Sequence, residues 1–339
     1  MMVCLTHTAK RMVFLTDPDL KEAYHTFLKE YQDLGHMIPF AAFDGSFSPA
    51  KHYFLPHHGV WKLSSSITKL RTVFNGSLKV KSGNSLNDLP HAGPTLLPHL
   101  SDIISNWRWY RFVFTADVAK MYRQILIHPD DHKFQAILWR FCQLELIVIW
   151  LLVTLTYGLI CSTYFALRCF KELAREQAFL FPLRAEILDQ ETYMDDVTYG
   201  GHTIHEANRK RCEINELLAS AGFPLRKYIS NCSKILEGVP EADLATGSKS
   251  LSDPSMSTSV LGVCWNPTLD HFEFKVQMLG PPPKLTKHVV LLRIAKIFNP
   301  MGWLSPIIIT AKILMQSLWL CKLGWDDLVS SENRISWEK

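Results

Sequence analysis

The eight cysteines of this 339-residue chain never form a C-x-x-C pair. Their scatter excludes the usual zinc-ribbon spacing and the framework of a secreted disulfide scaffold, and a reducing compartment fits best. His52, His57 and His58 lie close in sequence, but no second ligand group stands at the spacing a structural zinc site requires. The opening Met1-Met2-Val3-Cys4 lacks the basic start and long apolar core of a secretory leader. No apolar run approaches the roughly 20 residues that cross a bilayer as a helix; the strongest, residues 146–155, reads as a buried strand. A large charge of either sign is missing too, since 36 Lys and Arg against 32 Asp and Glu leave a net charge of +4. A polyanionic partner would have to be met by local clusters: Lys62/Lys69/Arg71/Lys79/Lys81, Arg209/Lys210/Arg211 and Arg226/Lys227. Taken singly, each cluster reads more simply as a solvated face.

With 47% hydrophobic residues the chain has enough apolar material for more than one core, and its length suggests two or three domains. Asp17-Pro18-Asp19 followed by Leu20, Ala23, Tyr24, Phe27, Leu28 and Tyr31 predicts a helix that stops near Gly35, with residues 40–49 as a linker. Residues 52–62 and 69–81 alternate and are rich in β-branched side chains, with Ser64-Ser65-Ser66 between them, so a hairpin is expected. Lys69 and Arg71, two apart on a strand, share a face. Further on, 205–221 reads as a helix burying Ile214, Leu217, Leu218 and Ala221, and 225–229 as a strand. Residues 237–259 read as an exposed loop, 260–265 and 271–276 as a hairpin, and 289–297 and 307–320 as apolar helices.

The chemistry concentrates at Tyr193-Met194-Asp195-Asp196, set between β-formers on both sides. Adjacent carboxylates with no basic neighbour in sequence repel one another unless a cation neutralises them, and hard divalent ions favour carboxylate oxygen. The plainer reading is a polar turn, where Asp is common. A third acid, Asp117, ends the β-rich run Phe112-Val113-Phe114-Thr115-Ala116-Asp117-Val118. On a strand beside the 193–196 hairpin it would complete a site for two metal ions about 3.5–4 Å apart; alternatively it caps a helix beginning at Val118.

Asp117-Val118-Ala119-Lys120-Met121-Tyr122-Arg123-Gln124, then His128-Pro129-Asp130-Asp131, then Tyr193-Met194-Asp195-Asp196 resembles the reverse transcriptase of BEL/Pao long-terminal-repeat retrotransposons. Tyr53-Phe54-Leu55-Pro56-His57-His58, Ser85-Leu86-Asn87-Asp88-Leu89, Gly222-Phe223-Pro224-Leu225-Arg226-Lys227 and Leu261-Gly262-Val263-Cys264-Trp265-Asn266-Pro267 extend the resemblance, in family order, over residues 50–327.

That resemblance implies an α+β polymerase right hand with a mixed palm sheet packed on helices. Residues 1–50 are then a helical leader and linker, 51–107 fingers, 108–131 the palm strand with the first carboxylate, and 132–156 a fingers/palm hairpin. Residues 157–265 complete the palm with the metal hairpin, and 266–339 hold the primer grip and a partial thumb or connection. Asp117, Asp195 and Asp196 would bind two Mg²⁺ ions, or Mn²⁺ in their place. Lys69 and Arg71 would grip the triphosphate, and Tyr157 and Gly158 would border the nucleotide, glycine allowing close backbone approach. Tyr122 would lie under the incoming sugar and collide with a 2′-hydroxyl, selecting deoxynucleotides; a core tyrosine is the alternative.

The implied partners are an RNA or DNA template with its primer, deoxynucleoside triphosphates and other segments of a retroelement polyprotein, with no membrane. The implied location is cytoplasmic particles with access to the nucleus. A ribonuclease H and an integrase, carried downstream in a full element, are not expected within the chain. Three positions depart from the family pattern: Asn75 replaces an Asp, the apolar run at 146–155 is normally more polar, and Leu159-Ile160-Cys161-Ser162-Thr163-Tyr164 replaces small residues and a proline. Bulk at 159–164 in a template groove, together with the end at Lys339, keeps open a decayed fragment that binds nucleic acid without polymerising. An aspartic peptidase, the remaining alternative, needs an Asp-Thr-Gly or Asp-Ser-Gly loop, and the chain has neither.

Overall fold

The computed structural model describes residues 18–42, 53–61, 70–80, 83–142, 144–179, 187–188, 190–245, 257–274, 280 and 282–338. Helix α1 (Pro18–Asp33) begins on its proline and is followed by Gly35 at φ +69°. Tyr24, Leu28 and Tyr31 are its buried stripe, the i, i+4, i+7 pattern of one helix face. Strand β1 (Met37–Pro39) follows. Strands β2 (His57–Trp61) and β3 (Leu70–Phe74) pair antiparallel with Val60 opposite Arg71. The expected hairpin therefore forms, although Lys62, Lys69, the three serines and most of the 40–49 linker lie outside the described residues.

Helix α2 (Leu100–Trp109), strand β4 (Phe112–Val118), and strands β5 (Ala136–Trp139) and β6 (Val148–Leu152) come next. The apolar run at 146–155 is a strand only from Val148, and Leu146 is exposed. Pairing explains the difference: β6 is the middle strand of the order β1-β6-β5, and β1 covers only Trp150, Leu151 and Leu152. Burial begins where both flanks are occupied. Among the described residues no helix is long and apolar enough to cross a membrane, and the seven described cysteines are free.

Helix α3 (Ser162–Gln177), strands β7 (Thr192–Tyr193) and β8 (Asp196–Gly201), helix α4 (Ile204–Ser220) and strand β9 (Leu225–Ser230) complete the centre. The central sheet has the order β7-β8-β4-β9, all antiparallel. Alternation along β4 sends Phe114, Ala116 and Val118 into a core with Phe170 of α3 and Ile214 and Leu218 of α4. The opposite face sends Val113 against Ile103 and Trp107 of α2 and against Trp265. Strand β4 thus lies between two apolar layers, which fixes which of its side chains reach each face.

Helix α4 starts with Thr203, whose hydroxyl accepts the Glu206 amide (3.1 Å), while the Glu206 carboxylate accepts the His202 amide (2.9 Å). Its basic run does not form a binding face. Lys210 and Arg211 are buried: Lys210 pairs with Glu206 and lies 4.8 Å from the Tyr110 ring, and Arg211 donates to the Glu237 carbonyl (3.1 Å). Ala221, expected inside, is exposed because the helix has already ended.

Strands β10 (Thr258–Val260), β11 (Val263–Asn266) and β12 (His271–Glu273) form a separate sheet in that order. The single strand expected over 260–265 is split by Leu261 and Gly262, both at positive φ, where an extended ladder cannot continue. Helices α5 (Lys287–Ala295) and α6 (Ser305–Leu320) pack through Leu285, Val290, Met315 and Leu318. A third helix, α7 (Ser331–Glu338), joins them without having been expected from the sequence.

Candidate active site

The register between β4 and β8 places Asp117 opposite Asp196, Thr115 opposite Thr198 and Val113 opposite Gly200. Residues directly opposite share a face, with Cβ atoms about 4.5–5.5 Å apart, so the two acids stand side by side although 79 positions separate Asp117 from Asp196. Strands β7 and β8 pair Tyr193 with Asp196, leaving Met194 and Asp195 as a two-residue turn. Met194 takes φ +57°, the sign a tight hairpin demands at its first central residue and one that a bulky side chain seldom adopts. The Val118 amide donates to the Asp195 carbonyl (2.7 Å), tying the turn to the end of β4.

Burial raises the Asp195 carboxyl above its ordinary range, with the charge of Asp117 acting in the same direction. Asp196 is pushed up to about 7, first by burial and then by repulsion from Asp195 and Asp117. Three neighbouring carboxylates in a half-desolvated cleft are short of positive charge. Lys227 supplies part of it, its ammonium standing 2.9 Å from Asp117 Oδ2. Among the described residues no group of three His, Cys, Asp or Glu side chains is closed into a ligand set. The donor chemistry nonetheless suits a hard divalent ion, since the groups are carboxylate oxygens and the unmet charge on Asp196 is of the sign a cation relieves.

Lys227 was legible from the sequence only as half of a basic pair. Its placement depends on a bulge: Asp117 pairs with Arg226 but Thr115 with Ile229, so Lys227 and Tyr228 together oppose Ala116. Lys227 has φ +56°. A bulge re-aims a side chain and is set by tertiary pairing, which no local sequence signal specifies.

Tyr122 sits in a short 3-10 turn, Met121–Gln124, just after β4. It is half-buried, its hydroxyl interacts with Thr163 and feels the charge of Asp195, and burial raises its pKa. The Tyr122 and Tyr157 rings are 6.2 Å apart, and Phe74 of β3 lies 5.3 Å from Tyr157. Gly158, at φ +91°, follows; a Cβ there would stand 2.2 Å from the Phe74 carbonyl oxygen. The close approach at Gly158 is thus to β3, which accounts for the glycine without a nucleotide. Arg71 is exposed on β3, while Lys69 lies outside the described residues. The structure therefore gathers Asp117, Asp195, Asp196, Tyr122, Tyr157 and Gly158 around one end of the central sheet, with Arg71 on the neighbouring hairpin.

The 159–164 segment differs from a stretch of loose bulk. Leu159 packs on the core of Tyr31, Phe74 and Leu86, and Tyr164 lies against Gly93. Ile160 is exposed.

Known proteins resemble this chain in two ways. Residues 286–339 match the family described as the Pao retrotransposon-like RNaseH-like domain, a segment expected from the sequence to be a partial thumb, in a chain expected to hold no ribonuclease H. Its described part consists of α5, α6 and α7 with no strand. Among solved structures, the foamy viral protease-reverse transcriptase dRH in complex with ds DNA matches with a TM-score of 0.56 and 15% identity, covering 95% of this chain and 47% of that one. A selenomethionine-labelled prototype foamy virus protease-reverse transcriptase CSH mutant matches with a TM-score of 0.50 and 17% identity, covering 95% of this chain and 36% of that one. The chain thus spans less than half the length of these proteins, and at such identity the likeness is one of fold: a mixed α+β arrangement shared with retroviral protease-reverse transcriptases. No curated protein matches it in sequence.

Proposed function

We propose that this chain is the polymerase portion of a Pao-like retroelement polyprotein, an RNA- and DNA-directed DNA polymerase that adds deoxynucleotides to a primer 3′-hydroxyl. The observation that carries the reading is the pairing of Asp117 with Asp196 across β4 and β8, with Asp195 in a turn tied to Val118. The likeness in fold to foamy viral protease-reverse transcriptases supports it. In this reading the central sheet is the palm and the β2–β3 hairpin belongs to the fingers, while α5 and α6 lie in the segment that matches the Pao retrotransposon-like RNaseH-like family and follow the palm. The template–primer and deoxynucleoside triphosphates are its partners, and cytoplasmic element particles with access to the nucleus are its setting.

Asp117, Asp195 and Asp196 would hold Mg²⁺, as two ions, or Mn²⁺ in their place, supplying activation of the primer hydroxyl and neutralisation of the leaving pyrophosphate. The remaining work falls to the chain's own groups. Tyr122 borders the sugar and leaves no room for a 2′-hydroxyl, while Arg71 and Lys69 present N–H donors to phosphate oxygen. Lys227 tempers the repulsion among the carboxylates.

Primer extension on RNA and DNA templates with Mg²⁺ tests the reading: the chain extends the primer, and Asp196→Asn lowers the rate by on the order of a hundredfold or more, the scale on which a misplaced catalytic group acts. A second reading, nucleic-acid binding without synthesis, has one observation in its favour: the Lys227 ammonium already occupies the face of Asp117. Duplex binding with no extension in either metal would establish that reading and remove the first.

A further inference from the structure

Helix α1 precedes every motif that carries the polymerase reading, yet it bonds directly to the turn that holds Tyr122. The Glu30 carboxylate pairs with Lys120 and, at 3.0 Å, with the Arg123 guanidinium. Arg123 is buried; its Nε donates to His36 Nδ1 (3.1 Å), and its guanidinium lies 4.0 Å from the Tyr31 ring centroid and 5.8 Å from that of Phe27. Glu30, Tyr31 and Phe27 all belong to α1. Lys120 sits at φ +54°, in the left-handed region, as the residue entering the turn. A non-glycine residue held there needs its surroundings to fix it, and the ion pair to Glu30 does so. A second connection joins α1 to the same ring: Tyr31 and Tyr157 both lie against Phe74, with ring centroids 6.4 and 5.3 Å from it, and Tyr157 stands beside Tyr122.

We infer that Glu30, acting through Lys120 and Arg123, is a positioning residue for Tyr122 and so sets the discrimination between deoxyribo- and ribonucleotides. The inference rests on the polymerase reading. The chain enters the 121–124 turn at Lys120 and carries Tyr122 beside Arg123, so the two side chains leave the turn in different directions: Arg123 toward α1, Tyr122 toward Asp195. Holding the first fixes the second. Releasing the Glu30 clamp lets the turn shift and opens the space against the sugar, without altering any group that touches the nucleotide.

The test is single-nucleotide incorporation of a deoxynucleotide and its ribonucleotide counterpart by the whole chain, by Glu30→Gln, and by the same change in a Tyr122→Ala background. Glu30→Gln should reduce discrimination roughly fivefold, within the range that residues away from a ligand exert on a coupled site. Glu30→Asp should restore part of it. In the Tyr122→Ala background the change should have no further effect, because the group it positions is gone. Lys120→Met, at a half-exposed residue, provides the same readout should Glu30→Gln fail to fold. Unchanged discrimination in an active Glu30→Gln or Lys120→Met protein, or an equal loss with and without Tyr122, overturns the inference and leaves the polymerase reading standing. A wild-type chain that incorporates neither nucleotide overturns both.

Discussion

At the scale of single residues, Tyr122 and Gly158 make the sharpest claims. Tyr122 is half-buried with its hydroxyl interacting with Thr163 and its ring beside Tyr157, so its position is defined rather than left to solvent. If the proposed polymerase reading holds, Tyr122→Ala removes an obstruction to the 2′-hydroxyl and no attractive contact to a deoxynucleotide. Ribonucleotide incorporation should rise while deoxynucleotide use changes little, measured by single-turnover incorporation; unchanged selectivity would leave Tyr122 a packing residue. Gly158 combines φ +91° with the Phe74 carbonyl 2.2 Å from the position of a Cβ. Backbone strain alone costs about 1–3 kcal/mol at such a site, and the clash adds to it. Gly158→Ala should therefore lower the free energy of unfolding, measured by urea titration, by at least that amount, and a neutral result would mean that the β3 contact is not kept in solution.

Between residues and molecule stand the elements, and here the 159–164 segment changes meaning. Read from the sequence, its bulk obstructs a template groove. In the fold, Leu159 is partly buried against Tyr31, Phe74 and Leu86, which is the role of an anchor at the start of α3. Leu159→Ala should cost stability, by about 2 kcal/mol given its partial burial. Ile160 is exposed, so Ile160→Ala should leave stability within about 0.5 kcal/mol and is the cleaner probe of any obstruction. If Ile160→Ala raises the primer-extension rate and Leu159→Ala only destabilises, the obstruction is confined to one side chain. The reverse pattern would contradict the packing described.

For the molecule as a whole, His57 joins three elements. Its Nε2 donates to the Leu138 carbonyl (3.2 Å) on β5, leaving Nδ1 to accept the hydroxyl of Tyr24 on α1. That arrangement uses the neutral ring, and burial lowers the His57 pKa to about 4. The unfolded ring, with its pKa near 6.5, binds a proton more readily than the folded one. The stability contributed by neutral His57 is therefore complete above about pH 6.5 and is lost as pH falls toward 4, amounting to about 3 kcal/mol over that window. Urea unfolding at pH 7 and pH 4.5 should show a steeper loss for the wild type than for His57→Gln, whose side chain does not titrate. Parallel losses would show that His57 is not buried and neutral in the folded chain.

The sequence alone determined the local elements and the residue types of the site. The apolar stripe of α1, the β2–β3 hairpin, the strand ending at Asp117 and the acidic turn at 193–196 follow from spacing and turn chemistry acting over a few residues. Tertiary structure decided what those elements do to one another. Only the β4–β8 register makes Asp117 and Asp196 neighbours, and only the bulge in β9 turns Lys227 toward them. Burial converted Lys210 and Arg211 from an apparent polyanion-binding run into partners of Glu206 and the Glu237 carbonyl, because a charged side chain covered by protein must find its counterpart there. The link from Glu30 to Arg123, 93 positions apart, was likewise invisible in one dimension. Periodicity reports which way a side chain faces within its own element; register, burial and charge pairing between distant elements exist only once the chain has closed on itself.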